Sequence, residues 1–234
     1  MWIRAHFRYT GHMNVLIIGG TSGLGLELGR CWEAEGDQIF VTGRSPKKAP
    51  DEFTALALKI DEDISGLQKN LDDVLAAAGH IDLLIYAAGF LEQGHIDQLS
   101  DEHIVATINT GVIAPALLVK RILIQQGQLD GFIAITSTSQ WHAREKEPTY
   151  CASKAGLAML AHSLSLDPRI KKTLVVGPGG MKTQFGQSVG RDTKGYLEPG
   201  SVAEEILRLW GEPYSYRLAR ILREPQRVEI LETE

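Results

Sequence analysis

Tyr150 and Lys154 stand four residues apart in the stretch PTYCASK, and that pairing could do proton chemistry. On a helix, residues i and i+4 share a face, so the phenol and the ammonium could point into one cleft. A free tyrosine titrates near ~10, too high for easy proton exchange at neutral pH, whereas a neighbouring ammonium favours the phenolate. Such a pair could act as acid and base on a carbonyl or an alcohol. The spacing alone is weak, because any helical turn carrying a Tyr and a Lys produces it. Ser137, thirteen residues upstream, adds a hydroxyl that could hydrogen-bond a substrate oxygen facing the tyrosine. Its ordinary role would be a turn.

A reaction that moves a hydride needs a cofactor, since no side chain carries two electrons reversibly. The run IGGTSGLG offers a place for one: Gly19, Gly23 and Gly25, with Thr21, Ser22 and Leu24 between them. Glycines there supply positive φ and let backbone amides approach a pyrophosphate at a helix N-terminus. The run is neither a Walker loop nor a GxGxxG, and Leu28 stands where a third glycine would fall. After QIFVTG comes Arg44, followed by Ser45, Lys47 and Lys48, where an NAD site would carry an acidic residue for the ribose hydroxyl. A guanidinium fork suits a 2′-phosphate, so NADP(H) is expected in preference to NAD(H). Asp61 could accept from an adenine amino group or cap the helix that follows. Ala88 and Gly89 could let a flat ligand lie against the backbone, or form a tight packed turn. In PGGMKT, Thr183 could hold a carboxamide or belong to a plain turn.

These residues fall at the ends of short apolar runs. NVLIIGG (14–20), QIFVTG (38–43), ALALKID (55–61), IDLLIYAAG (81–89), DGFIAITS (130–137) and KTLVVGPGG (172–180) read as strands, and RVEIL (227–231) as a possible edge strand. Helical patterns lie between them over 24–36, 64–79, 101–126, 149–166 and 201–211. Near-continuous apolar strands alternating with helices imply a parallel sheet covered on both faces. The expected fold is α/β: a Rossmann-like, doubly wound parallel sheet of about six to seven strands in one domain over 13–234. Ligands in such sheets bind at the carboxyl ends of the strands, where the residues above cluster.

Composition narrows the function. A net charge of −5 argues against a nucleic-acid partner, and no run of 18 apolar residues suggests a membrane span. Two cysteines, Cys31 and Cys151, suit a reducing cytoplasm, and the seven histidines show no metal-binding spacing, so no metal is expected. Residues 1–12 read as an extended or disordered lead.

Taken together, IGGTSGLG, Asp61, YAAG, Ser137, the YCASK pair and PGGMKT resemble the short-chain dehydrogenase/reductase family in order and approximate spacing, over nearly all of 13–211. The resemblance implies an NAD(P)-dependent oxidoreductase interconverting a carbonyl and an alcohol, as a homodimer or homotetramer. It implies Tyr150 as acid–base, Ser137 as the group that polarises the substrate oxygen, and Lys154 on the nicotinamide ribose. The Pro178–Thr183 turn, with Gly179 and Met181, would hold the nicotinamide. Three features depart from the family pattern. Tyr86-Ala87-Ala88-Gly89 replaces Asn-Asn-Ala-Gly; aligning APALLVK puts Gly111 at the family's asparagine, with Asn109 two residues earlier; and the substrate loop, about 184–198, is short. A cofactor-sensing protein without turnover is the alternative reading.

Overall fold

The first strand, β1 (Asn14–Ile18), shows how this chain builds its core. Side chains alternate across a strand, so Leu16 and Ile18 pack into one apolar layer, and Val15 and Ile17 into the other. A strand buried on both faces has no polar side to show, which is why it reads as an unbroken apolar run. The computed structural model describes residues 12–60, 63–187, 190 and 192–234; the lead expected over 1–12 lies almost wholly outside them.

Eight strands form one sheet: β1, β2 (Gln38–Gly43), β3 (Thr54–Ala57), β4 (Leu83–Tyr86), β5 (Gly131–Ile135), β6 (Thr173–Pro178), β7 (Tyr216–Leu222) and β8 (Arg227–Thr233). Their spatial order is β3-β2-β1-β4-β5-β6-β7-β8, parallel as far as β7, with β8 antiparallel at the edge. The order reverses between β1 and β4, the crevice where doubly wound sheets hold their ligands. The helices are α1 (Gly23–Ala34), α2 (Ile64–Ala78), α3 (Asp101–Ile108), α4 (Ala114–Gln126), α5 (Pro148–Ser165), the single turn α6 (Gln184–Gln187) and α7 (Pro199–Trp210). Leu71, Leu118 and Leu157 of α2, α4 and α5 cover one face of the sheet, and Leu28 and Ile206 of α1 and α7 cover the other.

The doubly wound architecture expected from sequence is present, with three differences. β7 was not foreseen, because Arg217 and Arg220 interrupt its apolar pattern. Arg217 pairs with Glu212, and Arg220 reaches Glu229 on β8 at 2.7 Å. The third strand ends at Ala57, short of the expected 61.

The third difference lies in the helix expected over 101–126, where α3 and α4 are joined by a π turn, Asn109–Ile113. Pro115 accounts for it: proline has no N–H to give the Gly111 carbonyl, and its ring would clash with that carbonyl in an α-helix. The helix opens instead, with the Ala114 N–H bonding to Asn109 O, an i→i+5 bond. By length and composition the 26 residues Asp101–Gln126 could cross a bilayer. Here Leu118, Val119 and Ile122 are spent on the sheet, the usual reason for such an apolar helix in a doubly wound domain.

Candidate active site

Three glycines in the first turn are required by geometry. Gly19 and Gly23 have φ of +85° and +56°, which L side chains resist. A methyl on Gly25 would lie 2.3 Å from the Gly19 carbonyl oxygen. Across the crevice, a methyl on Gly19 would meet Ala88 at 2.9 Å, and one on Gly23 would meet the Thr183 methyl at 3.3 Å. The loops after β1, β4 and β6 therefore converge as the sequence requires of one site. Ser22 makes no side-chain cap on α1, and the first turn of α1 carries no acidic residue, so its N-terminal amides face the crevice unopposed. Thr21 packs on Gly43, where a methyl would sit 2.2 Å from its hydroxyl oxygen. Little space is left at the end of β2 for a carboxylate. Arg44, next along, is exposed, as are Lys47 and Lys48. The cradle fits a dinucleotide.

Several of the proposed contacts also serve packing or strand pairing. The Leu24 side chain belongs to the α1 core, and only its backbone stands at the helix start. Pro178 is a buried residue of β6 paired with Ile221, and Gly179 donates to Ile221 O. Met181 pairs with Leu197, closing the base of the substrate loop. Asp61 lies outside the described residues.

Tyr150 and Lys154 share a face of α5, and both are buried. The Lys154 ammonium lies 5.8 Å from the Tyr150 ring centre. It donates to Ile135 O at 3.1 Å and to Ala88 O at 3.3 Å, tying the ends of β5 and β4 together. Burial pushes its pKa down to about 8. Ser137 follows β5, and the Cys151 thiol donates to His142 O at 3.7 Å, lashing the first turn of α5 to the segment after Ser137. The Cys151 side chain is partly exposed. Trp141 packs over Gly177.

One residue here, Phe185, was missed in the sequence, and Tyr86, named there, has a hydrogen bond that was not foreseen. Phe185, on α6, stacks obliquely on Tyr150 with ring centres 6.0 Å apart and lies against Gly89. Its position two residues after Thr183 was the available signal. Tyr86 is fully buried, which pushes its pKa up, and its hydroxyl donates to Thr110 O at 2.5 Å. It thus holds a carbonyl of the π turn. Tyr86 also packs in the core of the sheet. Gly111 marks a close approach to α5: a methyl there would be 2.5 Å from Ser153 Cβ. Asn109, buried, opens the π turn. Tyr86→Phe is expected to lower unfolding free energy by about 1–3 kcal/mol in denaturant titration, the cost of a buried carbonyl left unpaired. An unchanged midpoint would show that the π turn needs no clamp.

The model of the short chain dehydrogenase family matches residues 13–194. The chain belongs to the short-chain dehydrogenase family. An uncharacterized oxidoreductase of Streptomyces coelicolor is 30% identical over 82% of this chain and 81% of its own length. Other curated relatives are spanned less fully, over 62 to 68% of their length in three cases. Among solved structures, an alcohol dehydrogenase from Thermococcus sibiricus complexed with 5-hydroxy-NADP aligns with a TM-score of 0.75 at 21% identity, covering 92% of this chain and 98% of its own. A 3-ketoacyl-(acyl-carrier-protein) reductase from Brucella melitensis complexed with NADH aligns at 0.74 and 17% identity, over 88% and 95%. Within this family, the chain's Tyr150–Lys154 pair lies beside a nucleotide cradle built from its own first turn.

One grouping lies apart from that pair. The ligand atoms of His162, Glu232 and Glu234 fall within 4.8 Å of one another. His162 is about 18 Å along α5 from Tyr150. Sequence separation concealed the group, and nothing ties it to the cradle.

Proposed function

We propose that this short-chain dehydrogenase interconverts a carbonyl and an alcohol with NADP(H), using Tyr150 as the proton donor and acceptor. The observation that carries the reading is the buried Lys154 ammonium, which joins the ends of β4 and β5 beside Tyr150. When bound, the nicotinamide supplies or accepts the hydride. The chain's residues do the rest. The glycine turn and the amides of α1 receive the pyrophosphate, and Arg44 takes the 2′-phosphate. Lys154 holds the ribose hydroxyls and favours the tyrosinate. Ser137 hydrogen-bonds the substrate oxygen while Tyr150 gives it a proton in reduction, or takes one in oxidation. Asn109 is our candidate for the family's asparagine. Phe185 covers the tyrosine and would exclude water.

A panel of small aldehydes, ketones and keto esters with NADPH tests this reading. We expect oxidation of the cofactor with some of them; NADPH binding without oxidation by any would favour the sensor.

The cofactor preference is tested separately. Loss of a charge-assisted contact at an exposed site should weaken NADPH binding about tenfold in Arg44→Ala, with NADH nearly unchanged. Tighter binding of NADH by the wild type, together with no effect of the substitution, would refute the assignment. The same proposal includes a homodimer or homotetramer, which would cover the exposed Ile124, Met159 and Leu166 of α4 and the α5 region. It also includes a cytoplasmic location, in keeping with two unpaired cysteines.

A further inference from the structure

Behind Ser137 runs a chain of polar groups that the family roles do not use. The Ser139 N–H donates to Ser137 Oγ at 3.1 Å, and the two hydroxyl oxygens are 3.2 Å apart, within hydrogen-bond reach. Arg144 Nε donates to Ser139 Oγ at 3.1 Å. The same Nε lies 3.7 Å from Glu147 Oε2, and Gln93 Nε2 donates to Glu147 Oε1 at 2.7 Å. Ser139 and Glu147 are both 4% exposed, whereas the Arg144 side chain is 44% exposed. Glu147 also ends the turn that launches α5, its N–H bonding to Arg144 O at 3.0 Å. A buried carboxylate thus anchors a cation whose hydrogen bond leads back to the serine.

Hydroxyl inventory gives this chain a direction. A serine hydroxyl has one hydrogen and two lone pairs, and either hydroxyl of a pair can donate. If Ser137 gives its hydrogen to Ser139, none is left for a substrate. If Ser139 gives its hydrogen to Ser137, both Ser137 lone pairs are filled, one by the Ser139 N–H and one by the Ser139 O–H. The only thing Ser137 can then offer outward is its proton. Arg144 decides between the two arrangements. Its N–H occupies a lone pair of Ser139, and its charge draws the Ser139 oxygen toward itself and turns the hydrogen away, toward Ser137.

We propose that Arg144, acting through Ser139 and anchored by Glu147, is a positioning residue that makes Ser137 an obligate hydrogen-bond donor to the substrate oxygen. No bond is made or broken in this step; one hydroxyl rotates as the substrate arrives. The stabilisation it lends grows with negative charge on that oxygen, so it acts on turnover more than on binding. The proposal rests on the carbonyl–alcohol reading above.

The test is a double-mutant cycle with NADPH and the best carbonyl of the panel. Ser139→Ala and Arg144→Gln should each lower kcat about tenfold, a fraction of what direct oxyanion donors contribute, with KM and NADPH affinity within about threefold of wild type. Arg144→Lys, which keeps a charged donor, should restore most of the loss. In a Ser137→Ala background, Ser139→Ala should cost nothing further, because it acts only through Ser137. Turnover of Ser139→Ala within twofold of wild type would overturn the proposal, as would an equal further loss in the Ser137→Ala background. If the wild type turns over no carbonyl, Ser137→Ala has no effect either, and the oxidoreductase reading falls together with this one. If Ser137→Ala lowers turnover and Ser139→Ala does not, only this one falls.

Discussion

Tyr150→Phe should bind NADPH within about threefold of wild type and lose carbonyl reduction by roughly 10²–10⁴-fold, the usual contribution of a positioned acid. The substitution removes one oxygen and keeps the ring that packs at 6.0 Å from Phe185. Tyr150 is 8% exposed, so the phenyl group fills the same buried space and the fold should hold. The loss should appear in kcat with the carbonyl KM little changed, because the proton is needed as charge develops on the oxygen. Retention of a tenth or more of the wild-type turnover would remove Tyr150 from the acid role. Thermal unfolding of the same variant, expected within a few degrees of wild type, separates a chemical loss from a folding loss.

Lys154→Met is expected to act on two properties at once. Without the ammonium, the charge that favours the phenolate is lost, and kcat should fall roughly 10²-fold. Without its hydrogen bonds, the ribose subsite and the β4–β5 tie are both weakened, and NADPH should bind about tenfold more weakly. The pH dependence follows from the direction of the shift. Burial lowers the pKa of folded Lys154 to about 8, below that of a free lysine. The charge is present below about pH 8 and lost above it, so wild-type kcat/KM for NADPH should decline as pH rises through that value. Between about 8 and the ordinary lysine range the folded chain binds fewer protons than the unfolded one, and this group's contribution to stability rises with pH. Lys154→Met should show neither effect. An alkaline limb that persists unchanged in Lys154→Met would assign it to another group.

Much of this was legible in the sequence, for reasons that differ by residue. β1, β2, β4, β5 and β6 are buried on both faces, and a strand with no polar side writes itself as an unbroken apolar run. The glycine turn was legible because backbone geometry forbids side chains at Gly19, Gly23 and Gly25, so residue type reports conformation directly. Tyr150 and Lys154 were legible because helical spacing brings them together without help from the rest of the fold.

What was missed depends on contacts between distant segments. β7 exists because Glu212 and β8 neutralise its arginines, and neither partner can be read from Tyr216–Leu222 alone. The π turn needs Pro115 together with the close approach of α5 at Gly111, and neither the extra residue in the turn nor that contact can be read from the apolar run of the helix alone. The hydrogen bond of Tyr86 was not legible because its partner, Thr110, lies 24 residues away in sequence. The serine–arginine–glutamate chain behind Ser137 was invisible for a related reason: its meaning lies in which hydroxyl donates, which depends on a turn that only the folded chain makes.

The central claim is that a hydride and a Tyr150 proton reach one substrate carbonyl. The most direct measurement supplies NADPH deuterated at nicotinamide C4 together with the carbonyl panel and follows deuterium into the alcohol product by mass spectrometry. Deuterium is expected on the former carbonyl carbon with the wild type, and almost none with Tyr150→Phe at equal cofactor occupancy. Saturating cofactor with no deuterium in any product, or equal labelling by Tyr150→Phe, would contradict it.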